Sequence, residues 1–161
     1  MSRESTPDVI QTATVAIFSP DMRRIIVIVN ETCRMILPPG GTKEDDEDIL
    51  ATAIREVKEE IGLNLLEIPG NFLDSSGNTV LHPVVIHQEK FIHPRNQKKA
   101  LNSLYFFRLS EFIPEDFLQA ELKGFYYTKE FISRESVQIG DRSYPILDPE
   151  TKKFILRVMR D

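Results

Sequence analysis

Apolar residues fall along this chain in two rhythms. Thr12 to Phe18 and Ala100 to Leu109 are dense in apolar, aromatic and β-branched residues, and predict strands. Arg24 to Asn30 contains the unbroken run Ile25-Ile26-Val27-Ile28-Val29, the pattern of a strand buried on both faces. Ser19-Pro20-Asp21 forms the turn between the first two. Met35 to Leu37 leads into the breaker cluster Leu37-Pro38-Pro39-Gly40-Gly41, which must turn. Leu65 to Phe72 is expected as a strand ended by Asp74 to Asn78, and Val80 to Phe91 as an extended segment around Pro83.

The second rhythm is helical. Ile49, Leu50, Ala53, Ile54, Val57 and Ile61 recur on one face. The acidic run Glu44 to Asp48 supplies N-cap candidates and suits the positive end of a helix dipole. Gly62 follows the last periodic residue, where a left-handed cap favours glycine. A second helix is predicted from Asp148, an N-cap followed by Pro149, to about Arg160, with Phe154, Ile155, Val158 and Met159 as its stripe. Between these helices, Phe112 to Glu121 reads as part helix and part loop. Ser133 to Tyr144 reads as a short helix and a loop.

The first helix carries the chemistry. Glu56 and Glu60 lie nearly above one another, with Glu59 beside them. Three carboxylates on one stripe repel unless something positive lies between them, and a hard divalent cation that takes oxygen ligands is suited to this. An acidic helix face turned to water is the ordinary alternative. The surrounding residues decide between them. Gly41, Glu47, Arg55, Glu56, Val57, Glu59, Glu60, Gly62 and Leu63 fill every specified position of G-x5-E-x7-R-E-U-x-E-E-x-G-U, where U is bulky and aliphatic. Chance would produce this on the order of once in 10⁸ start positions at ordinary residue usage.

With this box, covering 23 of 161 residues, the chain resembles the Nudix hydrolases. The resemblance implies an α/β fold, a Nudix-type α/β/α sandwich with a mixed β-sheet and the box as loop-helix-loop. It implies cleavage of a phosphoanhydride in a nucleoside diphosphate linked to another moiety. Glu56, Glu59 and Glu60 would hold Mg²⁺ or Mn²⁺ together with the Gly40 carbonyl. Glu56 would otherwise be the base that activates water. Arg55 would orient a box glutamate, and Glu47 would support the site from the start of the helix. Glu121 matches a looser family pattern, a later glutamate that joins the metal from another loop; Glu115 and a plain surface role compete with it. Arg34 stands near the place of a phosphate-contacting arginine, against a solvated strand end. Lys43 joins it as a substrate-binding candidate.

These roles agree with elementary chemistry. Divalent ions neutralise phosphate oxygens and acidify bound water, so carboxylates fixed on a rigid helix suit the task. Arg55 beside Glu56 can grip a carboxylate in bidentate fashion.

Composition narrows the rest. Hydrophobic content of 41% and charged content of 28% belong to a globular chain, expected as one domain over 1–161 with a flexible stretch at 1–10. No apolar run approaches a membrane span, no signal-peptide core is present, and Cys33 is alone, so a cytoplasmic enzyme without disulfides is expected. The net charge of −5 argues against an extended nucleic-acid surface. The expected partner is a small phosphorylated substrate, a nucleotide first, with homodimerisation open. The basic loop His93 to Lys99 is either a polyanion contact or a solvated turn. His82, His87 and His93 have no metal spacing, and Phe91, Phe106, Tyr126 and Tyr127 are core or base-stacking residues. Two alternatives stand: a nucleotide- or partner-binding module without turnover, and a hydrolase of diphosphoinositol polyphosphates, for which Lys43, Lys98 and Lys99 leave room.

Overall fold

The structure, a computed structural model, describes residues 9–114 and 124–161. The expected flexible start at 1–10 lies almost wholly outside them. Strands β1 (Ile10–Phe18), β2 (Arg24–Asn30), β3 (Met35–Leu37) and β4 (Gly40–Thr42) come first, then helix α1 (Ile49–Ile61). Strands β5 (Gly70–Leu73), β6 (His87–Ile92), β7 (Lys99–Leu109) and β8 (Gly124–Thr128) follow. The short helix α2 (Lys129–Ile132), the hairpin β9 (Ser136–Ile139) and β10 (Arg142–Pro145), and helix α3 (Pro149–Val158) complete the order.

β1 and β7 form the parallel centre of a mixed sheet, paired from Ile10↔Ala100 to Phe18↔Arg108. The other pairings are antiparallel: β2 and β4 on β1, β3 and β8 on β2, β5 and β6 on β7. Side chains alternate across a strand, so each face gathers its own core. Ala13, Val15 and Ile17 join Tyr105 and Phe107 beneath Ala53, Val57 and Ile61 of α1. Ala16 and Phe18 join Leu104 and Phe106 beneath Ile155 and Met159 at the other face. Helices on both sides of a mixed sheet make an α/β/α sandwich, the architecture expected.

Several expectations about single elements change. The strand expected over Leu65 to Phe72 occupies Gly70–Leu73. Asn64 draws the preceding residues into a turn, accepting the Leu66 and Glu67 amides at 3.0 Å, and Pro69 follows without a donor. The segment after Val80 becomes a strand only at His87, past Pro83. Ser133 to Tyr144 is not a helix and loop but mainly a hairpin turning on Gly140-Asp141, with Gly140 at φ 64°. A glycine-aspartate pair between alternating segments is a hairpin signal that was present in the sequence. Phe112 to Glu121 falls largely outside the described residues.

α3 begins where the sequence places it, with Asp148 accepting the Thr151 amide at 3.0 Å. Glu89 on β6 faces this cap. Burial, then hydrogen bonding to Asp148, pushes the Glu89 carboxyl up to about 7. Burial also acts to raise Asp148, but hydrogen bonds from Glu89 and Thr151 outweigh it and hold Asp148 below its ordinary value. The shared proton therefore resides on Glu89. A carboxyl raised on folding stabilises the fold below its unfolded value and loses that contribution as pH climbs to the folded one. Unfolding free energy should thus fall between about pH 4.5 and pH 7 by on the order of 1–2 kcal/mol, allowing for solvent screening. Glu89→Gln should flatten this part of a urea-denaturation profile. Superimposable wild-type and variant profiles would refute the shared proton.

Candidate active site

The glycine loop and α1 meet at close quarters because of three local features. Asp48 caps the helix by accepting the Ala51 amide at 2.8 Å, and Gly62 at φ 75° ends it. Gly40 opposes Thr14, and a Cβ there would overlap the Ala13 carbonyl. Gly41 opposes Ala13, and a Cβ there would fall on the Glu56 carboxylate. Two glycines are thus required by close approach, one to the sheet and the next to the helix.

Arg55 organises the acidic side chains. Its Nε and Nη2 donate to the two carboxylate oxygens of Glu47, the second at 3.0 Å, in the fork geometry expected of this pair. Nη1 donates to Glu56 at 2.8 Å and to both Glu59 oxygens at 3.1 Å. Nη2 also reaches the Thr42 carbonyl at 3.0 Å, which ties the helix to β4. One guanidinium therefore hydrogen-bonds three carboxylates, and a fourth, Glu44, lies 3.7 Å from its Nε. It holds Glu47 down to about 2, with help from the Glu44 amide and the Thr52 hydroxyl. Glu56 behaves oppositely. Burial pushes its carboxyl up, and contact with Arg55 only partly counters this. Glu60 faces the loop, where its Oε1 accepts the Gly40 amide at 2.6 Å.

The expected box residues Gly40, Glu47, Arg55, Glu56, Glu59 and Glu60 therefore come together in space. Lys43 stands just past the loop, its amide donating to the Gln11 carbonyl and its ammonium to the Glu44 carbonyl at 3.3 Å. Arg34 lies on the β2–β3 turn at φ 56°, exposed, with β3 between it and the glycines. Glu121 and Glu115 lie outside the described residues. Phe106 is fully buried and packs edge-on against Phe18 at 5.0 Å, so it is core. His87 stacks on Phe154 at 4.6 Å, a packing role. The His93–Lys99 loop is a turn between β6 and β7, and Arg95 touches Thr32 at 3.3 Å, two residues from Arg34.

Two contributors were not picked out by sequence patterning. Thr52, fully buried on α1, donates to Glu47 at 2.9 Å and so steadies the acid that steadies Arg55. The Thr42 carbonyl is the second. A lone threonine within an apolar helical stripe was the available signal for Thr52; a backbone acceptor leaves none.

The donor set suits a hard divalent ion: carboxylates of different exposure beside a glycine loop held between the sheet and the helix. Glu56 is 18% and Glu59 45% exposed, so both can reach an approaching ligand from the solvent side. Among the described residues, no three acidic or imidazole groups already converge on one point. Arg55 supplies positive charge to Glu56 and Glu59 in this arrangement. The residues fit the ion by chemistry, without a ready-made cage.

The family model described as the NUDIX domain matches residues 10–132. The chain belongs to the Nudix family. As a Nudix protein it is a pyrophosphohydrolase acting on acid anhydrides. Solved structures of the same fold include a Nudix hydrolase from Clostridium perfringens, at 21% identity and a TM-score of 0.59, covering 92% of each chain. Another belongs to a study of MutT from Aliivibrio salmonicida and Vibrio cholerae, at 16% identity and 0.56, covering 91% of this chain and 95% of that one. A Caenorhabditis elegans Ap4A hydrolase in a binary complex aligns at 15% identity and 0.55, covering 92% and 94%. No curated protein matches the chain. No helix among the described residues is long and apolar enough to cross a membrane.

Proposed function

We propose that this Nudix chain hydrolyses the phosphoanhydride of a nucleoside diphosphate linked to another moiety, with Mg²⁺ or Mn²⁺, in the cytoplasm. The observation that carries this reading is the seating of the glycine loop on the acidic helix. Glu60 grips the Gly40 amide, while Gly41 leaves room for the Glu56 carboxylate. Glu56, Glu59, Glu60 and the Gly40 carbonyl would hold the ion. When bound, it would neutralise phosphate oxygens and supply an acidified water.

The remaining work falls to the chain itself. Arg55 fixes the rotamers of Glu56 and Glu59, so the carboxylates are placed before substrate arrives. Glu47 and Thr52 hold Arg55 in turn. Burial raises the half-buried Glu56 carboxyl, which supports its alternative role of taking a proton from water instead of holding the ion. Lys43, beside the loop with its ammonium at the Glu44 carbonyl, would meet a phosphate that extends from the site. Arg34 is the more remote candidate, at its turn.

The test is a panel assay of the full chain with each metal. It should include nucleoside diphosphate sugars, dinucleoside polyphosphates, nucleoside triphosphates and a diphosphoinositol polyphosphate. Expected is metal-dependent release of a nucleoside monophosphate from at least one nucleotide. Cleavage confined to the inositol compound would replace the substrate class. Binding without turnover throughout would replace the enzyme with a sensing module.

A further inference from the structure

A second concentration of charge lies at the other end of the sheet, and it is positive. Arg23, Arg24, Lys129 and Arg160 line one cavity of about 350 Å³. Three chain segments build it. Arg23 and Arg24 come from the end of the β1–β2 turn and the start of β2. Lys129 follows β8, whose Thr128 pairs with Arg24. Arg160 follows α3 and is tied to the turn by its amide, which donates to the Met22 carbonyl at 2.9 Å.

The charges are only partly answered from within. Lys129 lies 3.6 Å from Asp161, a side chain 95% exposed. Glu130 is the other acid in the lining. Among the described residues, no carboxylate lies within ion-pairing distance of Arg23, Arg24 or Arg160. Asp21, on the same turn, feels the charge of Arg23 and Arg24 without forming an ion pair with either. In a chain of net charge −5, three guanidiniums at one hollow with no ion pair among the described residues still run against the overall balance. Like charges confined together repel, and an anion between them relieves the repulsion.

The chemistry narrows the anion. A guanidinium presents a planar fork that matches phosphate oxygens two at a time. The cavity is at the lower end of the range for small-molecule sites, roughly 300–1,000 Å³, and exceeds what a single monatomic ion fills. The site is also separate from the glycine loop. Gly40 to Thr42 pair with the first half of β1, at Thr12 to Thr14, whereas Phe18 at the far end of β1 pairs with Ile25 beside Arg24. Thr14 to Phe18 alone spans about 13 Å of strand.

We propose that this cavity binds an anion carrying two or more phosphate groups, at a site distinct from the acidic helix and occupied without a divalent ion. The ligand is recognised by its phosphate chain, whether that chain is inorganic or belongs to a nucleotide. Catalysis at the helix is not required for it.

Isothermal titration calorimetry of the full chain with inorganic tripolyphosphate, in low-salt buffer stripped of divalent cations, tests this. The wild type should bind, and added salt should weaken binding. The double variant Arg23→Gln and Arg160→Gln should bind at least tenfold more weakly, with its fold checked by circular dichroism. The single variant Arg24→Gln gives a milder second reading should the double variant unfold. Glu60→Gln should bind like wild type. A parallel titration with a nucleoside triphosphate separates the sources: equal affinity marks the phosphate chain alone, and tighter binding marks a nucleotide. An absent wild-type signal overturns the proposal. So does unchanged binding by the folded arginine variants, or loss of binding in Glu60→Gln.

Discussion

Glu60→Gln should retain the fold and lose turnover by about 10²-fold or more, the scale on which one preorganised charge contributes to catalysis. The amide oxygen of glutamine can still accept the Gly40 N–H, now at 2.6 Å from a carboxylate oxygen, so the loop keeps its anchor. The negative charge offered to a divalent ion is what disappears. Because the ion would act mainly on the reacting phosphate, kcat should fall more than KM rises. Melting temperature, measured alongside, should move little. Comparable turnover by wild type and variant on the best substrate of the panel would remove Glu60 from the chemistry.

The two glycines should respond in opposite ways to the same added methyl group. In Gly40→Ala the new Cβ meets the Ala13 carbonyl and the Thr14 Cα, both backbone atoms of the central strand. Neither can step aside without moving β1, and overpacking of this kind costs about 3 kcal/mol or more. That corresponds to roughly 6–12 °C in melting temperature for a chain of this size. In Gly41→Ala the Cβ meets the carboxylate end of Glu56, a flexible side chain. The side chain should swing away, leaving stability within about 1 kcal/mol of wild type while displacing Glu56 from Arg55. Turnover should then drop by roughly 10–100-fold, the usual effect of disturbing the partners of a metal ligand. Thermal denaturation and steady-state kinetics on both variants separate these outcomes. A destabilised Gly41→Ala with normal kinetics would contradict the assigned contact.

The contrast shows what the linear pattern could reveal. The spacing of Glu56, Glu59 and Glu60 marked the acidic stripe because helical geometry converts sequence separation directly into angle. Asp48 and Gly62 were readable for the same reason, since caps act within one turn. The role of Arg55 was legible only in outline. Its links to Glu47 and the Thr42 carbonyl cross from helix to loop to strand, and no period in the sequence encodes them. The hairpin at Gly140 departs from the expected helix and loop although its turn pair is visible in the sequence, because its alternating residues are mostly exposed and give weak patterning. The cationic cavity is invisible in sequence, since its charges come from three distant segments.

Gly40 has a consequence of its own. It is at once a rung of β4 beside β1 and the residue whose amide the acidic helix holds. Peeling the helix away would strip that amide of its acceptor, and fraying the strand would pull the acceptor's anchor from the helix. Sheet and helix are therefore coupled into one cooperative unit at this residue, which leaves the catalytic loop little freedom to open by itself.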